Sequence, residues 1–188
     1  AAMFAYNGFA SGTATPVMPL INANNSGYIT GVQIQNLGDS ETDVTLAYTP
    51  SFTGSDRLET KTIDAGASET FAMDAFSDGE PFVGSAMVTV NSNSQPLAAI
   101  VNQLNRDEQK GGAYEGMDPS QATDTVVMPL IMDRVAGYYT GFNVVNTGSS
   151  TTTVNCTFSD TSYTIDEALE PGQAFTAVQN GQIKEGYV

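Results

Sequence analysis

The chain contains two copies of one sequence block, 110 residues apart. Residues 15–38 read TPVMPLINANNSGYITGVQIQNLG and residues 125–148 read TVVMPLIMDRVAGYYTGFNVVNTG, and 12 of these 24 positions are identical. Self-similarity over a block of this length indicates a duplicated structural unit. We therefore treat residues 14–121 as the first repeat and residues 122–188 as the second repeat.

Within each repeat, apolar residues recur at every second position. Val32 and Ile34 alternate with Gln33 and Gln35, which is the pattern of a half-buried β-strand. Seven short strands are predicted in the first repeat: the two that contain Val32–Ile34 and Val44–Tyr48, and five more at residues 15–22, 57–63, 68–73, 82–91 and 96–104. The segment GGAYEG at residues 111–116 is interpreted as a flexible turn. Seven strands in about 100 residues are typical of an immunoglobulin-like sandwich, so the sequence predicts an all-β fold.

A proline interrupts the first strand of each copy, at Pro19 and Pro129. Proline has no backbone N–H to donate to a sheet. This strand is therefore expected to lie at a sheet edge or to be broken at the proline.

The second repeat is shorter than the first. Its last residues, Gly186-Tyr187-Val188, match Pro81-Phe82-Val83, after which the first repeat continues into two more apolar strands. The N-terminal residues resemble that missing part. Residues 5–8 (AYNG) match residues 113–116 (AYEG), and residues 1–2 alternatively match residues 98–99. Residues 1–13 are thus predicted to be a closing strand, and residues 122–188 an incomplete sandwich.

Two interpretations of the incomplete repeat remain open at this stage. In one, the sequence is a window onto a longer tandem array, in which neighbouring repeats complete both ends. In the other, separate chains complete each other when the N-terminal segment of one chain joins the open sheet of the next. Either arrangement yields a linear assembly, because a head-to-tail contact that does not close generates a filament.

The second interpretation predicts which apolar side chains form the interface between chains. The expected donor residues are Met3, Phe4, Tyr6 and Phe9, and the expected acceptor residues are Phe158, Phe175, Tyr187 and Val188.

Composition excludes several classes of function. The chain has 21 acidic and 6 basic residues, a net charge of −15, no His and one Cys. This charge repels nucleic acid, and a chain without His lacks the usual general base and the commonest zinc ligand. We expect no enzymatic activity, no cofactor, no nucleic-acid partner and no membrane span. A carboxylate pair for glycoside hydrolysis is disfavoured, because such sites sit in aromatic-lined clefts and the chain has no Trp.

Three further kinds of site are candidates. Asp39, Glu41 and Asp43 gather carboxylates in one loop, and calcium prefers oxygen ligands, but solvated acidic turns are the favoured interpretation. Asn24 and Asn155 each begin an Asn-x-Ser/Thr triplet, which is the acceptor for N-linked glycans. Tyr28, Tyr138 and Tyr139 follow a glycine at the start of a strand and could form a face that stacks on surface glycans, but packing between repeats is favoured over that use.

The repeated blocks also carry a family resemblance. The first strand VMPLI at 127–131, the block GYYTGFNVVNTG at 137–148 and the strand PLAAIVNQ at 96–103 resemble tandem immunoglobulin-like repeats of bacterial and archaeal surface proteins. In layout they are similar to CARDB-type adhesion domains. The resemblance implies secreted, repetitive modules without catalytic residues. We therefore expect an extracellular or cell-surface structural protein, with an adhesin or a carbohydrate-binding module of a longer surface protein as the alternative.

Overall fold

The fold is all-β, as the sequence predicts. A computed structural model describes residues 4–159, 162–178 and 186–187, the last two by their backbone alone. These residues form fourteen strands, and every strand pairing is antiparallel. The helical content of this part of the chain is one 3-10 turn at Pro119–Gln121. It includes no helix of the length and hydrophobicity that a membrane span requires.

The first repeat contributes eight strands to two four-stranded sheets. One sheet has the order β1-β6-β3-β4 and the other has the order β5-β2-β7-β8. The strands are β1 (Val17–Ala23), β2 (Tyr28–Asn36), β3 (Thr42–Thr53), β4 (Arg57–Ile63), β5 (Ser68–Phe71), β6 (Phe82–Asn91), β7 (Leu97–Asn105) and β8 (Lys110–Glu115).

Seven of these strands lie where the alternating pattern predicts them, and the eighth corrects the sequence interpretation. Residues 111–116 are not a flexible turn, because β8 pairs with β7 from Asn105↔Lys110 to Ile100↔Glu115. Small residues hide the strand pattern there, while the neighbouring β7 supplies the backbone partners that make the segment extend.

The two sheets enclose one core. Its fully buried side chains come from both sheets, with Met18, Leu46 and Phe82 from one and Ile34 and Phe71 from the other. Aromatic rings close one end of this core. The Phe76 ring lies 5.1 Å from the Tyr48 ring and 4.9 Å from the Phe82 ring, centroid to centroid.

Pro19 has one of its two predicted effects on β1, because the strand lies at an edge but runs from Val17 to Ala23 without a break. The pairing of β1 with β6 shifts between Met18 and Ile21, so that Leu20 does not pair with β6. A bulge of this kind is expected where a residue cannot donate to the ladder.

The described part of the second repeat forms six strands that pair in twos. The pairs are β10–β13, β11–β12 and β9–β14, and they repeat the pairings β2–β5, β3–β4 and β1–β6 of the first repeat. The strands are β9 (Met132–Asp133), β10 (Gly141–Val145), β11 (Thr152–Thr157), β12 (Thr164–Leu169), β13 (Ala174–Val178) and β14 (Gly186–Tyr187). Whether these pairs belong to an incomplete immunoglobulin-like sandwich stays a prediction.

A buried asparagine makes the same hydrogen bonds in both repeats. Asn36 Nδ2 donates to the carbonyls of Ser40 and Ile63, at 2.7 and 3.1 Å. Asn146 Nδ2 donates to the carbonyls of Ser150 and Leu169, at 2.9 Å each. Each side chain thereby fastens the end of its strand to the loop that follows and to the facing sheet. Sequence reasoning missed both asparagines, and the only signal for them was their recurrence in an Asn-x-Gly triplet.

The repeats contact each other through polar atoms on the outer face of the first sheet. Ser85 is buried, and its Oγ donates a 2.7 Å hydrogen bond to the carbonyl of Gly172. Ser51 Oγ lies 2.9 Å from Thr176 Oγ1. Strand β13 of the second repeat therefore lies against β3 and β6 of the first repeat.

Candidate functional site

One pentapeptide occurs twice in the chain and adopts two different structures. Residues 17–21 and residues 127–131 both read VMPLI. In the first repeat this segment lies in β1 and Val17 has no exposed surface, whereas Val127 is 82% exposed and lies outside any strand. Because the sequence is the same, the difference comes from the surroundings. The first copy has β6, β7 and β8 around it, and the described residues supply no counterpart of β7 or β8 to the second copy.

Because the described residues supply no counterpart of β7, one edge of β10 has no strand partner. In the first repeat β2 lies between β5 and β7, but β10 pairs with β13 and with no other strand of the described residues. Asn146 N donates to Gln173 O, so the backbone groups of Asn146 point toward β13. Along a strand, the N–H and C=O groups of successive residues point alternately to the two sides. The backbone groups of Asn143 and Val145 therefore point to the open edge. An edge of this type is a template for another strand.

A groove of about 740 Å³ lies beside the open edge. Asn143, Val144 and Val145 line it together with residues of β1, β8 and the connection between the repeats, including Met117 and Met128. Residues 5–7 of the N-terminal segment line the same groove in the isolated chain. Two exposed valines, Val126 and Val127, are 66% and 82% exposed in the same connection. The site thus combines unpaired strand backbone with apolar side chains, which is the chemistry that an added strand requires.

Two of the predicted acceptor side chains lie close to this edge in a small apolar cluster. Phe175 is half-buried, and its ring lies 6.3 Å from that of Phe142 on β10. Phe158 is also half-buried, at 5.6 Å from the Tyr163 ring. Tyr187 is described only as backbone, paired with Met132. Val188 lies outside the described residues.

Backbone hydrogen bonds show that Phe175 is not the counterpart of Phe71 in the first repeat. Gly172 N donates to Asn146 O as Gly66 N donates to Asn36 O, so the turn that contains Gly172 corresponds to the turn that contains Gly66. Counting from these turns, Ala177 rather than Phe175 takes the place of Phe71. The second repeat thus carries a small side chain where the first has a large one.

The predicted donor segment lies against its own first repeat in the isolated chain. Its described residues 4–12 form no strand, and Thr13 makes a bridge to Leu97. The Phe4 ring packs on Gly111 of β8, where an added Cβ would lie 2.7 Å away. Asn7 N donates to Glu115 Oε1 at 2.8 Å, and Tyr6 is 56% exposed. Phe9 is half-buried beside a depression of about 400 Å³. Met3 lies outside the described residues.

The acidic loops do not form a cation site among the described residues. No three Asp, Glu or Cys side chains of this part lie close enough together to hold a metal ion. Asp39, Glu41 and Asp43 are all exposed, and the Asp43 carboxylate accepts a hydrogen bond from Thr62 Oγ1 at 2.7 Å.

The acids after β5 are paired with bases instead. Asp74 lies 2.8 Å from Lys61 Nζ, and Asp78 lies 2.6 Å from Arg57 Nη1. The Arg57 guanidinium holds the pKa of the exposed Asp78 carboxyl below its ordinary value.

The two candidate glycosylation sites differ in accessibility. Asn24 Nδ2 donates to the carbonyls of Phe76 and Glu80, at 2.7 and 3.3 Å, in a turn where the Asn24 φ is 52°. A glycan on that nitrogen would displace these bonds. Asn155 is exposed on β11, where its amide donates to Asp166. The adjacent Cys156 is half-buried, and burial raises the pKa of its thiol.

A buried carboxylate in the first repeat was not singled out from the sequence. Glu59 is 9% exposed, and its Oε2 accepts hydrogen bonds from Tyr48 Oη and Ala72 N, at 2.7 and 2.8 Å. Glu59 and Ile63 lie on the same face of β4, the face that points to the core. That position in the alternation is the sequence signal by which the buried carboxylate could have been found. The hydrogen bonds join β3, β4 and the end of β5, so the group is part of the packing of this repeat.

Comparison with known proteins gives no family. No family model matches the chain, and no curated protein matches it. The crystal structure of Thermotoga maritima 1070 is similar over 57% of this chain and 95% of that chain, at 13% identity and a TM-score of 0.45. Similarity this weak supports no conclusion about family or function. The resemblance to tandem surface repeats stays a prediction.

Proposed function

We propose that this chain is a non-catalytic extracellular structural protein that assembles head to tail into a filament, sheath or surface layer. In the assembly, the N-terminal segment of one chain adds to the open edge of β10 in the next. The observation that carries the proposal is the contrast between Val17 and Val127, which lie in identical pentapeptides but are 0% and 82% exposed. An apolar segment that is buried in one repeat and exposed in the other lacks a partner among the described residues.

The first repeat indicates where the added strand would lie. There β7 pairs with the edge of β2 that corresponds to the open edge of β10. When residues 1–9 (AAMFAYNGF) are aligned with residues 98–106 (AAIVNQLNR), Phe4 takes the place of Val101. Val101 is fully buried, and it pairs with Val32, whose counterpart is Phe142. Phe4 of one chain would then face Phe142 of another.

The donor segment can leave its position in the isolated chain at small cost. Residues 5–8 are exposed, and the one described hydrogen bond that holds them is made by Asn7. The fold of the first repeat begins at Thr13, since its backbone bonds with Leu97 are the first that join this end to a strand. Release therefore breaks little structure.

Deletion of residues 1–12 tests the donor. The truncated chain is expected to keep the circular dichroism and the unfolding transition of the first repeat, and to form no polymers in light scattering and electron microscopy. A point variant, Phe4→Asp, is expected to have the same effect, because a charge replaces a ring that becomes buried. The matched control is Phe52→Asp, since Phe52 is 79% exposed on β3. Polymers of normal length from the truncated chain would overturn the proposal.

A substitution in β10 tests the acceptor. Val145→Pro removes an N–H that points to the open edge and leaves the bonds of Val144 to β13 in place. We expect folded chains that no longer accept a strand but still donate one. Val145→Thr is the control, because it keeps the N–H and the β-branched shape. Mixing the Val145→Pro chain with wild type should cap polymers and shorten them.

The exposed tyrosines support a second candidate, an adhesin or carbohydrate-binding module. Tyr138 and Tyr139 are 68% and 53% exposed beside each other at the start of the block before β10. Aromatic faces of this kind suit sugar rings. A glycan array with the monomeric Val145→Pro chain separates the two functions. Saturable sugar binding that Tyr138→Ala removes would favour the adhesin.

A further inference from the structure

In the first repeat, one tyrosine satisfies the backbone that the Pro19 bulge leaves without a strand partner. Leu20 N donates to Tyr114 Oη at 3.1 Å, and the same hydroxyl donates to the carbonyl of Leu20. Gln103 Nε2 donates to that carbonyl as well, at 2.9 Å. Two side chains, from β8 and from β7, thus converge on the backbone of one residue of β1. Burial raises the pKa of Tyr114, in accord with a hydroxyl enclosed between the sheets.

The second repeat has the same bulge sequence without either side chain. Leu130 follows Pro129 as Leu20 follows Pro19, and Leu130 is 53% exposed. No residue in the described part of the chain forms a hydrogen bond with the Leu130 backbone. A buried peptide group without a partner costs free energy. Any strand that covers this segment must therefore bring a hydrogen-bonding side chain to it.

The donor segment carries such a side chain at the right place in both of its alignments. When AYNG at 5–8 is matched to AYEG at 113–116, Tyr6 takes the place of Tyr114. When residues 1–9 are matched to residues 98–106, Tyr6 takes the place of Gln103. These are the two residues whose side chains reach Leu20. In its own chain Tyr6 is exposed at the mouth of the groove, and its hydroxyl forms no hydrogen bond with the described residues.

We propose that Tyr6 of a second copy of this chain places its hydroxyl against the backbone of Leu130, as Tyr114 does at Leu20 within the first repeat. The inference rests on the proposed head-to-tail assembly. It adds the polar contact that sets the position of the donated strand along the groove. An apolar strand can slide by two residues and keep its alternation, but a hydroxyl that must reach one peptide favours a single position.

The first test compares Tyr6→Phe with wild type in assembly measurements. Tyr6→Phe keeps the ring and the strand and removes only the hydroxyl, so polymers should still form. The critical concentration is expected to rise about tenfold, the effect of losing one hydrogen bond that leaves a buried partner unpaired. Tyr114→Phe calibrates the contact, because it should lower the folding equilibrium constant of the first repeat by a similar factor.

The second test locates the Tyr6 ring directly. In polymers assembled from a mixture of isotopically light and heavy chains, a photo-reactive p-benzoylphenylalanine at position 6 of the light chains is expected to cross-link to residues 128–131 of the heavy chains, as read by mass spectrometry. Cross-links confined to other parts of the neighbour, or an unchanged critical concentration for Tyr6→Phe, would overturn the inference and leave strand donation standing. A wild-type chain that does not assemble at all would overturn the proposed function, and this inference with it.

Discussion

The Tyr48 hydroxyl donates a 2.7 Å hydrogen bond to Glu59 Oε2 at the closed end of the first repeat. Burial, reinforced by the charge of the Glu59 carboxylate, raises the pKa of Tyr48 far above its ordinary value. The folded protein therefore holds this proton at pH values where the unfolded chain releases it.

This relationship predicts that the protein loses stability in alkali. Below pH 10 the proton is bound in both states. Above pH 10 only the unfolded chain loses it, so the free energy of unfolding falls by about 1.4 kcal/mol per pH unit for each such tyrosine. Tyr114 adds a second contribution of the same sign, since burial raises its pKa too. Urea unfolding at pH 8, 10 and 11 measures the slope, which Tyr48→Phe should reduce. Equal slopes for the variant and wild type would contradict this prediction.

The buried asparagine predicts a large effect from a small substitution. Asn36→Ala leaves the carbonyls of Ser40 and Ile63 without their donor in a buried place. We expect a loss of about 3 kcal/mol in the free energy of unfolding, measured with urea. The neighbouring Gln35→Ala is the control, because Gln35 is exposed and a change of about 0.5 kcal/mol or less is expected there. Similar values for the two variants would show that the asparagine contributes little.

The contact between the repeats predicts a local effect. Ser85→Ala removes the donor to the Gly172 carbonyl, at a cost of about 1–2 kcal/mol. Hydrogen exchange is expected to accelerate at residues 172–177 and to stay unchanged in β2. Thr89→Ala is the control, since Thr89 is exposed on the same strand. Unchanged exchange at residues 172–177 would mean that the repeats are held together by other contacts.

Charge predicts how assembly responds to salt. Chains with a net charge of −15 repel one another, and salt screens that repulsion. Light scattering should therefore rise faster as sodium chloride increases. Calcium and magnesium chloride at equal concentration are expected to act alike, because no described group of three carboxylates is placed to select calcium. A gain that only calcium produces, and that a chelator reverses, would contradict this and support a calcium site at Asp39, Glu41 and Asp43.

The sequence predicted the strands of the first repeat because their two faces differ. Val32 and Ile34 are fully buried and the intervening Gln33 is not, so alternation marks the strand. β8 escaped prediction because its glycines and alanine give no alternation, and it extends only because β7 lies beside it. Asn36 was not predicted because a polar residue on a strand usually faces solvent. Its side chain is buried instead, and its amide nitrogen and oxygen both form hydrogen bonds there.

The second repeat shows why the candidate site was only partly predictable. The VMPLI pentapeptide was expected to form the same strand twice, but residues 127–130 do not form one. A strand at an edge depends on its neighbours for hydrogen bonds and for burial, and these are not encoded in its own five residues. Comparison of the two copies predicts which strands of the first repeat have no match in the second, while the open edge of β10 and the groove follow only from the strand pairing.

The bond between Tyr114 and Leu20 joins residues 94 positions apart, and this has a consequence for how the protein is made. The first strand of the repeat cannot be completed until the last strand has left the ribosome. Folding that depends on such distant contacts is slow, and it is governed by the length of chain already synthesised. If Tyr6 supplies the equivalent bond at Leu130, the second repeat is completed at a rate set by the concentration of other chains. The last folding step of one molecule would then be the growth step of the polymer.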